Sequence, residues 1–218
     1  MTINAQKLIR AVEEADSSDR LLDAVKQLAA SGLEESIPTL IAALGYNNPG
    51  AAVAAVDGLI AIGEPAVQPL LELIDNYNYG ARAWAVRALA GIGDTRALDT
   101  LLEAAKNDFS LSVRRAAARG LGTLRWHQLP PEKLESVKTQ VLEALLVISE
   151  DPEWVVRYAV VTSLEALAIV TTLPDKISRI TEHFQQMVST DVDLGVRTRV
   201  RLAQRKIQQQ QPQEIIYI

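Results

Sequence analysis

The chain has 218 residues, 48% of them hydrophobic and only 5% aromatic, with a formal net charge of -5. That balance, with 22 Lys and Arg, argues against a general nucleic-acid binder, and the lack of cysteine excludes disulfides, thiolate metal sites, a cysteine nucleophile and any thioether on this chain. His127 and His183 stand far apart, so no metal site is expected, and a chain dominated by Ala and Leu favours packed helices over a sheet.

The chain opens on "MTINAQKLIRAVEEAD", which is polar, amphipathic and without the apolar centre of a signal peptide. No apolar run approaches the roughly 20 residues that span a bilayer, so a cytoplasmic chain with no membrane partner is expected. A first helix is predicted at "IPTLIAAL" (37–44) and recurs as "VQPLLELI" (67–74), "LDTLLEAA" (98–105) and, more loosely, "TQVLEALL" (139–146). Each precedes a second helix. "GAAVAAVDGLIAIG" from Gly50 aligns without a gap on "GARAWAVRALAGIG" from Gly80. Further echoes are "SVRRAAARGLGTL" from Ser112, "VVRYAVVTSLEAL" from Val155 and "GVRTRVRLAQRKI" from Gly195. Self-similarity at this period marks a solenoid of helix pairs.

Arg82, Arg114, Arg157 and Arg197 open the second helices, each six positions after Asn76, Asp108, Asp151 or Asp191. The Asp-x5-Arg pattern resembles HEAT repeats, in which the pair links neighbouring units at the turn. The four arginines therefore read as scaffold, while the earliest unit breaks the rule with Tyr46 and Ala52. The expected fold is all-α, a HEAT-like solenoid (a right-handed α-α superhelix) over residues 1–207, followed by a flexible tail over 208–218, where "QQQQPQ" leaves the helical pattern.

With each anchor as position zero, positions +2, +3, +6, +7 and +10 form one apolar stripe that must face the core. Trp84 falls on it and is expected to fill a core gap, with ligand binding as the alternative. Positions +1, +4, +5 and +8 form the other face, expected to line the concave surface. Asp57 lies there, with Arg87 and Arg119 at its level, Arg115 and Tyr158 beside them, and otherwise small aliphatic neighbours. Such a face suits a ligand site. The plainer reading is that Asp57 and Arg87 pair across neighbouring helices.

"GYNNPGAAVAAVDGL", "NYNYGARAWAVRALAGIGD", "NDFSLSVRRAAARGLG" and "DPEWVVRYAV" closely resemble the F-type subunits of the cyanobacterial E/F bilin lyases, over roughly residues 8–207. The resemblance implies a heterodimer with an E-type subunit. It implies that the pair holds phycocyanobilin as a non-covalently bound substrate and attaches it by a thioether to a cysteine of the apo-phycocyanin alpha subunit. Relatives that also isomerise the bilin carry a His-Cys motif; "RWHQLP" (125–130) has His127 but no thiol, which implies transfer without isomerisation. Arginine forks suit the bilin's two propionates, so Arg87, Arg115 and Arg119 are candidate bilin ligands, with Tyr158 against the ring faces. Asp57 is the candidate catalytic residue, accepting from pyrrole N–H groups or supplying a proton.

Tyr46, Tyr77, Tyr79, Phe109 and Trp154 cluster near the turns between paired helices. They form either an aromatic ridge for the partner subunit or acceptor, or inward-folding caps. His127, on a proline-rich insert, reads as a solvated loop residue, with a proton donor near neutral pH as the alternative. The C-terminal "IIYI" either docks on the partner or stays free. The competing function is a non-catalytic HEAT adaptor or phycobilisome disassembly factor.

Overall fold

The computed structural model describes residues 5–75 and 79–210. They form twelve α-helices in six antiparallel pairs: α1 (Ala5–Glu13) with α2 (Ser18–Ser31), α3 (Ile37–Ala43) with α4 (Pro49–Ile62), α5 (Val67–Asp75) with α6 (Tyr79–Ile92), α7 (Leu98–Asn107) with α8 (Leu111–Leu121), α9 (Pro131–Ile148) with α10 (Trp154–Val170), and α11 (Pro174–Thr190) with α12 (Leu194–Gln210). The amphipathic N-terminal segment thus forms a pair of its own, and Ser17 caps α2 by accepting from the Arg20 N–H at 3.3 Å. Among the described residues there is no strand.

The second helices, α2 to α12, pack directly on one another along the array, whereas the first helices touch only lightly. Closely spaced second helices and splayed first helices curve the stack, so the second helices form the concave wall. Small residues permit the approach. A Cβ on Gly58 would stand 2.6 Å from Ala29 Cβ, and one on Gly120 would stand 2.6 Å from Ala90 Cβ. Both glycines occupy position +6, and each is covered by the second helix before it. Leu28, Leu59, Leu89, Leu121 and Leu164 run through the core as one fully buried row.

The arginine anchors form a ladder that points forward along the chain. Arg157 donates from Nη1 to the carbonyls of Asp151 and Pro152 in its own turn, at 2.9 and 3.1 Å. Its Nε and Nη2 reach both oxygens of Asp191 in the next unit, at 2.8 and 2.9 Å. Arg114 repeats the arrangement with the carbonyls of Asp108 and Phe109 and the carboxylate of Asp151. Arg82 Nη2 lies 2.7 Å from Asp108 Oδ2. Each rung aspartate also accepts from the N–H two residues on, as Asp191 does from Asp193 at 2.8 Å, so one carboxylate shapes its own turn and joins two units. Where the first unit lacks the pattern, Asn48 substitutes. It caps α4 by accepting from the Ala51 N–H and donates to Ser18 O and Oγ at 2.9 and 3.0 Å.

Two boundaries differ from expectation. α12 continues to Gln210, beyond the expected end of the solenoid at 207, because glutamine sustains a helix. The remaining tail, 211–218, lies outside the described residues, as does Tyr77. His127 lies exposed in a short 3-10 turn, Trp126–Gln128, ahead of α9.

Candidate functional site

The concave wall opens into a groove of about 1000 Å³ between α6, α8 and α10. Arg87, Arg115, Arg119 and Tyr158, singled out from helical phase, all line it. Two tryptophans join them, Trp84 from α6 and Trp154 from the start of α10, and the floor is small: Ala83, Ala90, Gly91, Ala116 and Ala159. Arg115 and Arg119 are four apart on α8 and point the same way. Among the described residues none of the three arginines has a carboxylate within 4.0 Å, and all three are exposed. The guanidinium of Arg87 lies 5.7 Å from the centroid of the Trp84 ring, a cation–π approach that holds the cation at the groove wall.

Trp84 is therefore more than a core filler. It is half-buried and packs on the core, yet it also lines the groove. Position +2 is the shoulder of the apolar stripe; Ala116, its equivalent in α8, is half-exposed in the same groove, whereas Ala85 and Ala117 at +3 are fully buried.

Asp57 is exposed on the second-helix layer, neither in the core nor on the outer wall. It does not join the arginines. It lines a separate hollow of about 250 Å³ between α2 and α4, with Lys26 and Val53, and makes no ion pair with Arg87. α4 contributes only Ile60 to the main groove. Asp57 lies about one turn before Ile60, so sharing a helical phase with Arg87 and Arg119 does not bring it into their site.

Behind Tyr158 lies a cluster that pattern reading missed. Glu165, at position +8, was expected on the open face. It is buried instead, because α12 covers it. Arg199 Nη1 donates to Glu165 Oε2 at 2.6 Å, Lys206 Nζ to Glu165 Oε1 at 3.0 Å, and Arg199 Nε to Thr162 Oγ1 at 3.2 Å. Burial works to raise the Glu165 carboxyl, but the bonds from Arg199 and Lys206 outweigh it and hold the group below its ordinary value. The Arg199 guanidinium also lies 6.0 Å from the Tyr158 ring centroid, bracing that ring from behind. The only sequence signal was the spacing of Arg199 and Lys206 along one helix, with nothing to name their partner.

The turns between paired helices share one edge of the solenoid and carry exposed apolar groups. Tyr46 is 40% exposed, Phe109 77%, Trp154 48% and Val192 89%. The inward-capping alternative thus fails for Tyr46, Phe109 and Trp154. Tyr79 opens α6, but its side chain lies outside the described set. Trp154 belongs to both the edge and the groove. Among the described residues no group of three His, Asp or Glu is placed to hold a metal ion, and no single helix is long and apolar enough to cross a membrane.

A stack of helix pairs joined by an Asp–Arg ladder defines the HEAT-repeat class, and the family model described as HEAT repeats matches residues 67–136. The chain is 56% identical over 212 residues to a phycocyanobilin lyase subunit beta of Pseudanabaena tenuis, covering 96% of this chain and 75% of that one. It is 58% identical over 168 residues to the phycocyanin alpha phycocyanobilin lyase CpcF of Synechocystis sp., covering 77% and 78%. A solved complex of CpcE and CpcF of phycocyanin lyase from Nostoc sp. contains a chain that matches with a TM-score of 0.72 and 49% identity, covering 78% of this chain and 98% of that one. The chain belongs to the family of F-type (beta) subunits of the phycocyanobilin lyases.

Proposed function

We propose that the chain is the F-type half of a heterodimeric lyase, paired with an E-type subunit, and that its arginine groove holds phycocyanobilin for attachment to a cysteine of the phycocyanin alpha subunit. The observation that carries the site is the convergence of Arg87, Arg115 and Arg119, without carboxylate partners among the described residues, with Trp84, Trp154 and Tyr158 in one groove. An open-chain tetrapyrrole is a flat conjugated ligand with two propionates. Aromatic side chains match its faces and guanidinium forks match its carboxylates. Arg115 and Arg119, a turn apart on one helix, suit propionates on adjacent rings. Phycocyanobilin enters as substrate and no resident cofactor is required. The setting is cytoplasmic.

Attachment is addition of the acceptor thiol across the exocyclic double bond of ring A. The sulfur–carbon bond forms and the thiol proton ends on the tetrapyrrole, with no change in overall oxidation level. The groove's contribution is positional. Fixing the propionates and the ring planes holds the reacting carbon where a docked acceptor can reach it, which converts a bimolecular encounter into a local one. Tyr46 and Trp154 on the adjoining edge suit contact with the partner or acceptor, since Tyr and Trp present large, stiff, amphipathic surface. With Asp57 outside the groove, the proton is not routed through it.

The test is reconstitution with an E-type subunit, apo-phycocyanin alpha subunit and phycocyanobilin. Replacing Arg87, Arg115 and Arg119 together by Ala should abolish the shift of the bilin absorption band and slow transfer at least about a hundredfold. Unchanged transfer would remove the groove from the reaction. No bilin response from the wild-type pair would favour the adaptor reading.

A further inference from the structure

At the C-terminal end the ladder stops with a rung open. Arg82, Arg114 and Arg157 each reach an aspartate in the following unit. Among the described residues no helix pair follows Arg197 to supply an aspartate; its buried Nε has no hydrogen-bond partner, and Arg82 Nε also lacks one, but Arg82 reaches Asp108 through Nη2. The same end departs from every inner unit in a second way. At position +4 of the second helices stand Val56, Val86, Ala118 and Val161, each fully covered. Ser163 of α10 donates to Ala118 O at 2.7 Å, so this position faces the next second helix. At +8, Ala90 and Glu165 are likewise buried against the next unit. In α12 these two seats hold Arg201 and Arg205, and both are exposed, with the half-exposed Leu202 between them.

A terminal repeat needs a polar outer face for solubility, but solubility does not require one sign of charge. α12 carries Arg197, Arg199, Arg201, Arg205 and Lys206 and no acidic residue, in a chain whose net charge is -5. Arg199 and Lys206 are consumed by Glu165. Arg201 and Arg205, four apart on one face, repel each other, where a solvated cap would gain from an acid at that spacing. Neither has a carboxylate within 4.0 Å among the described residues.

We propose that the end face of α12 seats an acidic helical-repeat surface of the E-type subunit, with a turn carboxylate of that subunit completing the Arg197 rung. The inference rests on the pairing proposed above and adds where and by what chemistry it occurs. Inner units show the required partner: a carboxylate on a helix–helix turn, presented to an arginine fork, beside a helix seated at +4 and +8. A second copy of this chain fits less well. The aspartate on its first turn, Asp16, is already held by both oxygens on Arg20, at 2.9 and 3.0 Å.

The test titrates purified E-type subunit into the full-length wild type, into Arg201→Glu/Arg205→Glu and into Arg197→Gln, at low and at physiological salt. Thermal unfolding of each chain alone is measured alongside. The paired reversal should weaken association at least about tenfold and flatten its salt dependence, since like charges then meet across the interface. Its own melting temperature should hold, because neither arginine forms an ion pair with another of the described residues. Arg197→Gln should weaken association by a smaller factor with no loss of salt dependence beyond one charge. Wild-type affinity in the paired reversal would overturn this inference and leave the pairing intact. Absence of any wild-type complex would overturn the pairing itself. Head-to-tail association of the wild type alone, lost in the reversal, would assign the face to a second copy and also overturn the proposal.

Discussion

Arg157 and Asp191 meet through two parallel hydrogen bonds, 2.8 and 2.9 Å long, across the junction between the fifth and sixth helix pairs. Both side chains are nearly covered, at 12% and 5% exposure. Burial acts to raise the Asp191 carboxyl, yet the Arg157 fork and the Asp193 N–H hold it below its ordinary value. Removing one partner strands the other. Asp191→Ala should therefore cost about 3 kcal/mol of unfolding free energy, measured by urea titration. A loss within about 0.5 kcal/mol would show that the rung braces nothing.

The close approach of the second helices depends on missing side chains. Gly120→Val places branched carbons where Ala90 Cβ already lies 2.6 Å from a bare Cβ position. A loss of about 1–3 kcal/mol is expected from overpacking, with Gly120→Ala milder. Because α8 also carries Arg115 and Arg119, the valine variant should weaken bilin binding as well. Full stability in both variants would mean that the wall does not need this contact.

His183 gives the fold a pH dependence near neutrality. Its Nε2 lies 2.9 Å from Ser149 Oγ, and burial lowers its pKa below the ordinary 6.5, against a smaller opposing pull from Glu150. The folded state thus favours the neutral ring. Stability is fully present above pH 6.5 and falls as pH drops from there through the folded value, because the unfolded chain binds the proton more readily. Urea midpoints taken between about pH 7.5 and 5 should show this fall, and His183→Gln should flatten it. An equal slope in the variant would assign the effect to other groups.

Asp57→Asn should leave bilin affinity within about twofold of wild type, since the carboxylate lines a hollow apart from the arginines. A loss of tenfold or more would bring Asp57 back into the site and require the bilin to extend across α4 toward α2.

Helical phase made much of this legible. The recurring Asp-x5-Arg string located the turns and the ladder, and counting from each arginine brought Arg87, Arg115, Arg119 and Tyr158 to one wall. Phase says which face a residue occupies, but not how far along the helix a groove reaches, and so it grouped Asp57 with arginines whose groove α4 enters only at Ile60. It also favoured the core over the groove for Trp84, although position +2 is the shoulder of the buried stripe. The Glu165–Arg199–Lys206 cluster was out of reach because its members lie 34 and 41 residues apart and meet only once α12 covers α10.

The proposed site requires guanidinium groups in the groove to grip the propionates of the bilin. The direct measurement compares phycocyanobilin with its dimethyl ester in absorption titrations of the reconstituted heterodimer. The wild type should bind the free diacid at least about tenfold more tightly than the ester, and Arg115→Ala/Arg119→Ala should bind both alike. Equal wild-type affinity for acid and ester would contradict the claim.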